Sequence, residues 1–156
     1  MWFRQTGKEY ETSRGQSNKQ AMCHIVESGV VTGVILYAGE SPAAWVSLQP
    51  REAFSRLERS RAARRIDNES VWSVVCFFVH KDFRGRGAMR RLVAAAVEHA
   101  RAAGAEWIEA YPKDLEDVRP TADAAYVGLL PVFVEAGFTE VARHIKGRPI
   151  VRLRIA

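Results

Sequence analysis

The segment that most constrains this chain runs from Val71 to Gly104. Val71 to Val79, VWSVVCFFV, is a nearly unbroken apolar run rich in valine and aromatic residues. Such a run suits a central strand covered on both faces. It is followed by a turn with two arginines and two glycines, Arg84-Gly85-Arg86-Gly87, and an alanine-rich helix pattern begins at once. From there Met89, Leu92, Val93, Ala96, Val97 and Ala100 recur at i, i+3, i+4 and i+7, with Arg90, Arg91, Glu98 and Arg101 off that face. The spacing predicts one buried helix face, and Gly104 is placed to close the helix.

The turn can hold a phosphate or simply face water. A helix start presents unpaired backbone N–H groups and the positive end of its dipole, and glycines let a phosphate approach closely. Arg84 and Arg86 can add charge-assisted hydrogen bonds. The strand before and the helix after are the context that phosphate binding requires.

The rest of the chain divides in the same way. Asn18 to Glu27 reads as a helix ended by Gly29, and Val34 to Tyr37 and Ala43 to Leu48 as a hairpin about Gly39-Glu40-Ser41-Pro42. Pro50 to Arg65 is charge-rich and reads as short helix and loop. Glu106 to Pro112 is a short strand, Ala124 to Ala136 a second helix capped by Gly137, and Phe138 to Arg143 and Ile150 to Ile155 two closing strands about Lys146-Gly147-Arg148-Pro149. Strands interrupted by two helices, with a hairpin at each end, predict an α/β fold: a mixed, mostly antiparallel sheet flanked by helices, in a single domain over residues 1–156.

With 156 residues, 47% of them hydrophobic, the chain can bury a core without a metal or disulfides. Cys23 and Cys76 stand far apart in apolar surroundings, in neither a paired nor a metal-like spacing. No segment approaches the roughly 18 apolar residues of a membrane span, and the start has no signal-peptide run, so a cytoplasmic protein is expected. The net charge of +5 is concentrated: residues 51–65 hold six arginines against two glutamates. A basic balance suits nucleic acid, and equally a small polyanion such as a nucleotide cofactor. Because arginine alternates there with glutamate and apolar residues, a solvated segment or a subunit contact is the alternative to a nucleic-acid face.

The stretch FFVHKDFRGRGAMRRLVAAAVEHARAAGAEWIEAYP resembles the signature region of the GNAT superfamily of N-acetyltransferases, whose acetyl-coenzyme A loop reads Gln/Arg-x-x-Gly-x-Gly/Ala. Here the loop is Arg84-Gly85-Arg86-Gly87-Ala88-Met89, with Met89 where the family places a small residue. ILYAGESPAAWVSL resembles the family's second and third strands, and LLPVFVEAGFTEVARH its closing helix and strand. The likeness spans about Val34 to Ile155. The family opens with a strand and two helices, and the expectation is a shortened N-terminal part in which the first strand is absent or supplied differently.

The resemblance implies an N-acetyltransferase that moves acetyl from acetyl-coenzyme A to an amine of a small molecule or peptide by direct attack. It assigns the strand's coenzyme contacts to Phe77, Phe78 and Val79 and the phosphate contacts to Arg84, Gly85, Arg86, Gly87, Ala88 and Met89, with no metal. Many relatives place a proton-donating tyrosine four residues before the closing Gly-Phe pair, where this chain has Phe133. Tyr126 is then the candidate acid, or else a packed tyrosine at a helix start. Glu109 is the candidate base, acting through water, with Tyr111 on the same face, or both simply line the sheet. His80, at the end of the coenzyme strand, is a candidate titrating group or a solvated side chain, and Cys76 reads as core. Two alternatives stand beside the enzyme: a non-catalytic acetyl-coenzyme A-binding regulatory domain, and a nucleic-acid module resting on the arginines of 51–65. Family members often form homodimers.

Overall fold

The computed structural model describes residues 1–116 and 122–156. Strands β1 (Gly33–Ala38), β2 (Ser41–Pro50), β3 (Val71–Val79), β4 (Trp107–Ala110), β5 (Thr139–Ile145) and β6 (Arg148–Arg154) form one sheet in the order β1-β2-β3-β4-β6-β5. Only β3 and β4 run parallel; every other neighbour pair is antiparallel. Helices α1 (Gly7–Thr12) and α2 (Gln16–Glu27) precede the sheet, α3 (Ser55–Glu58) follows β2, α4 (Ala88–Ala102) links β3 to β4, and α5 (Leu130–Glu135) precedes β5. The front of the chain thus holds two helices and, among the described residues, no strand. A capping box starts α1: Glu9 N–H donates to the Thr6 hydroxyl, and the Glu9 carboxylate accepts from Thr6 N–H.

The amphipathic pattern of α4 is used as the sequence predicts. Leu92, Val93, Ala96, Val97 and Ala100 are buried and pack with Val46, Leu48, Val74, Phe77, Ile108 and Val151 on one face of the sheet. Phe54, Leu57, Ala63, Val75, Tyr111 and Ile150 form a second core on the other face.

Three expectations change in detail. The first hairpin turns on Gly39 and Glu40 alone, since Ala38 already pairs with Ser41, and Pro42 is accommodated where the register slips. The last hairpin turns on Lys146 and Gly147, and Arg148 is already in β6. The helix expected over Ala124–Ala136 is two pieces, a 3-10 turn Ala122–Val127 and α5. Gly128 breaks it, with φ of 87°, and a Cβ there would lie 2.5 Å from the Phe133 ring. Pro131 in the first turn of α5 then suits a fresh helix start.

A bulge in β3 positions the site. Ser47 pairs with Cys76 but Leu48 with Val74, so β3 carries one extra residue, Val75. The alternation is reset there: Val74 and Phe77 face α4, whereas Val75 and Cys76 face the second core. The β3–β4 pairing also stops at Val74 and Ala110. Beyond it the chain from β4 turns away to pair Lys113 with Leu129, through Lys113 N–H to Gly128 O at 3.0 Å and Leu130 N–H to Lys113 O at 2.9 Å. The second half of β3 is therefore splayed from β4.

Candidate active site

The splay leaves specific backbone groups of β3 facing a gap. His80 N–H donates to Ala43 O at 2.9 Å, which makes that a hydrogen-bonded pair in the β2–β3 ladder. Antiparallel pairs alternate, so Phe78, opposite Trp45, also spends its backbone on β2, while Phe77 and Val79 point their N–H groups to the open side. The three coenzyme-strand residues expected from the sequence thus divide. Phe77 and Val79 offer amides, and Phe78 offers a ring that is 55% exposed. The ring of Phe77 is core, edge-on to Phe133 at 6.0 Å.

The basic turn lies directly after this edge. Gly85 and Gly87 have φ of 72° and 74°, and nothing lies within 4 Å of where their Cβ atoms would be. The open space is the size of a missing side chain or more, over a backbone that L-residues avoid. Gly87 is the N-cap of α4 and makes no side-chain cap; the first helical bond is Arg91 N–H to Gly87 O at 3.2 Å. The N–H groups of Ala88, Met89 and Arg90 are therefore left without helical partners, at the positive end of a helix of 15 residues. The Arg84 guanidinium reaches back to Val79 O at 3.1 Å, tying the turn to the strand. Arg86 is exposed. Met89 packs its side chain against the α4 core, so its bulk is turned out of the cradle. Arg90, paired to Glu135 on α5, holds the start of the helix against its neighbour.

The sequence-expected acid and base fall in different settings. Tyr126 sits on the 3-10 turn that packs against β3, is 36% exposed, and lines a cavity of about 490 Å³. Phe133 is fully buried between Phe77 and Phe138. Glu109 is 2% exposed, and both carboxylate oxygens are occupied. Oε1 accepts from the Tyr111 hydroxyl at 2.7 Å and from Arg51 Nη1 at 3.3 Å; Oε2 accepts from Arg152 Nη2 at 2.6 Å and Nε at 3.0 Å. Tyr111 does share its face, as two-residue alternation requires. Its single proton goes to Glu109, so it accepts from Arg51 Nη1 at 2.7 Å and from the Ser73 hydroxyl at 2.9 Å. Burial, with the Glu109 charge second, pushes the Tyr111 hydroxyl well above the ordinary tyrosine range. A carboxylate clamped between two guanidiniums inside the protein is an anchor for the second core; a base presented to a cleft would keep an oxygen free.

Other candidates are as plain. Cys76 is half-buried, and burial raises its thiol above the usual value, away from nucleophilic chemistry. His80 is 45% exposed and caps the turn Lys81–Phe83. The arginines of 51–65 do not share a face. Arg51 is buried on Glu109, Arg65 pairs with Glu52 at 2.6 Å, and Arg56 and Arg59 line the cavity beside Tyr126. Those last two, with Arg148, were invisible as site residues in the sequence, because nothing local marks which arginine of a charged run turns inward.

The family model of the acetyltransferase (GNAT) family matches residues 2–125. This chain belongs to the GNAT family. Solved structures agree in fold. A GNAT-family protein from Desulfovibrio desulfuricans is 17% identical with a TM-score of 0.58, over 97% of this chain and 84% of that one. The Salmonella typhimurium protein yncA, solved with its cofactor acetyl-CoA, is 13% identical with a TM-score of 0.59, over 92% and 75%. A Bacillus subtilis acetyltransferase in complex with CoA is 18% identical with a TM-score of 0.52, over 97% and 95%. At these identities the likeness establishes the GNAT architecture. Among curated proteins no match is found. No helix among the described residues is long and apolar enough to cross a membrane.

Proposed function

We propose that this GNAT domain is an acetyl-coenzyme A-dependent N-acetyltransferase acting on an amine of a small molecule or peptide. The observation that carries the reading is the joining of two backbone surfaces: the free edge of β3 at Phe77 and Val79, and the open, glycine-lined start of α4. Acetyl-coenzyme A, when bound, supplies a thioester-activated acetyl group. The amides from Gly85 to Met89, with Arg84 and Arg86 as countercharge, bind its pyrophosphate. Phe77 and Val79 N–H donate along the pantetheine and to the oxygen on which negative charge develops. Phe78 covers this edge with its exposed ring. Tyr126 holds the proton needed by the leaving sulfur, and the proton lost by the attacking amine passes to solvent through the open cavity. Glu109 keeps Arg51, Arg152 and Tyr111 in place and so fixes β4 against β6; we assign it no proton transfer.

The test is acetyl-coenzyme A-dependent thiol release across a broad panel of amines. Release with at least one amine, and the acetylated amine as product, is the expected result. Coenzyme binding with no release from any amine would favour a non-catalytic regulatory domain, a reading that Phe133, buried and without a proton to give, keeps in view.

A further inference from the structure

The cavity beside Tyr126 has a charge character that the family assignment does not supply. Among the described residues its wall contains three arginines, Arg56, Arg59 and Arg148, and no aspartate or glutamate. Elsewhere Arg51, Arg65, Arg90, Arg143, Arg152 and Arg154 each sit on a carboxylate. None of the three cavity arginines makes an ion pair among the described residues. Arg148 Nε is buried with no hydrogen-bond partner, and so is Gln5 Oε1 in the same wall. A buried donor and a buried acceptor without partners in one wall mark polar groups whose hydrogen-bonding capacity this conformation does not use. Arg56 is held in place: its guanidinium stacks 3.4 Å above the Trp2 ring and donates to Trp2 O at 3.4 Å. Phe3 and Tyr126, with ring centroids 6.4 Å apart, add apolar surface to the same wall.

We infer that the acceptor is a small amine whose other end carries a carboxylate or phosphate, bound by Arg56, Arg59 and Arg148. The inference rests on the acetyltransferase reading and deepens it by naming the substrate class. A concave site lined with one sign of charge concentrates ligands of the opposite sign. The planar fork of arginine matches both anions in two-bond contacts. Three guanidiniums in one wall also repel polyamines and other cationic amines, so the same residues select against them. Tyr126 joins the two halves of the site, since the turn that carries it packs on β3 while its ring lines the cavity.

The experiment compares steady-state rates at saturating acetyl-coenzyme A for matched amines: a set of amino acids, their carboxamides and their aminophosphonate analogues. The carboxylate or the phosphonate is expected to exceed the uncharged amide by about 100-fold in kcat/KM, mostly through KM, and whichever anion is preferred identifies the headgroup. Arg59→Gln, at the end of α3, and Arg148→Gln should each raise KM for the anionic amine about 10-fold or more, a larger rise than for the matched amide. Arg59→Glu should shift preference toward cationic amines, a result that a merely structural role would not produce. Thiol release that is equal for acid and amide, or greatest with a neutral or cationic amine, overturns this inference and leaves the acetyltransferase standing. No thiol release with any amine overturns both.

Discussion

Tyr126 and Glu109 show how far residue identity carries an assignment and where geometry takes over. Both are side chains able to handle protons, and sequence position nominated both. Tyr126 lines a cavity and is partly exposed; Glu109 is buried with four donor contacts on its two oxygens. Tyr126→Phe is therefore expected to lower kcat by about 100-fold or more while acetyl-coenzyme A affinity, measured by calorimetry, is unchanged. An unaltered kcat would remove Tyr126 as the acid. Glu109→Gln removes the buried carboxylate that Arg51 and Arg152 share and leaves them only the more exposed Glu58 and Asp67, and should cost about 3 kcal/mol of stability in denaturant titration. Full stability with a large loss of kcat would restore Glu109 as a base. Gly85 and Gly87 were legible in the sequence as turn residues because glycine meets both their positive φ and the open space around them. The partners of Glu109 were not, since Arg51 and Arg152 lie 58 and 43 residues away along the chain.

At the scale of elements, strongly periodic segments were the readable ones. Val71–Val79 forms β3 with the bounds its apolar run suggested, and the i, i+3, i+4 residues of α4 are its buried face. The bulge at Val75 left no local mark, because a run that is apolar on both faces does not reveal where its alternation resets. Yet that bulge and the end of β4 pairing create the open edge. The expected helix over Ala124–Ala136 failed for the opposite reason. Its apolar spacing continues through Gly128, but φ of 87° and the Phe133 ring 2.5 Å from a prospective Cβ demand a break there. Gly128→Val should destabilise the fold by at least about 2 kcal/mol, through backbone strain and overpacking together. Thermal unfolding would register this as a drop of several degrees, and an unshifted Tm would show that the break is not enforced by sterics.

Across the whole molecule, the net charge of +5 proved to be several unrelated assignments. Part is buried structure, part surrounds the glycine turn ahead of α4, and part lines the cavity; the sequence displayed the surplus without its distribution. Arg152 is the hub of the structural part, bridging Glu109 to Asp67 with Arg152 Nη1 to Asp67 Oδ2 at 2.6 Å. The Arg152 hydrogen bond holds the Asp67 carboxyl below its ordinary value of 3.8. A depressed folded pKa contributes stability above the unfolded value and loses it as pH falls through the folded one. Asp67→Asn should therefore be less stable near neutrality and lose less stability than the parent between about pH 5 and about pH 3. Parallel acid curves for the two proteins would mean the pair contributes nothing, as exposed pairs often do.

We propose that the β3 edge and the α4 start together hold acetyl-coenzyme A. Titration calorimetry of the full chain with acetyl-coenzyme A, beside Gly87→Glu, tests it most directly. Gly87→Glu places bulk and negative charge where the pyrophosphate belongs, at a residue whose side chain would otherwise meet only open space. Saturable binding by the parent, lost in Gly87→Glu while that variant still melts as a folded protein, is the predicted result. No binding by the parent at millimolar coenzyme, or equal binding by a folded Gly87→Glu, would show that this surface does not hold the coenzyme.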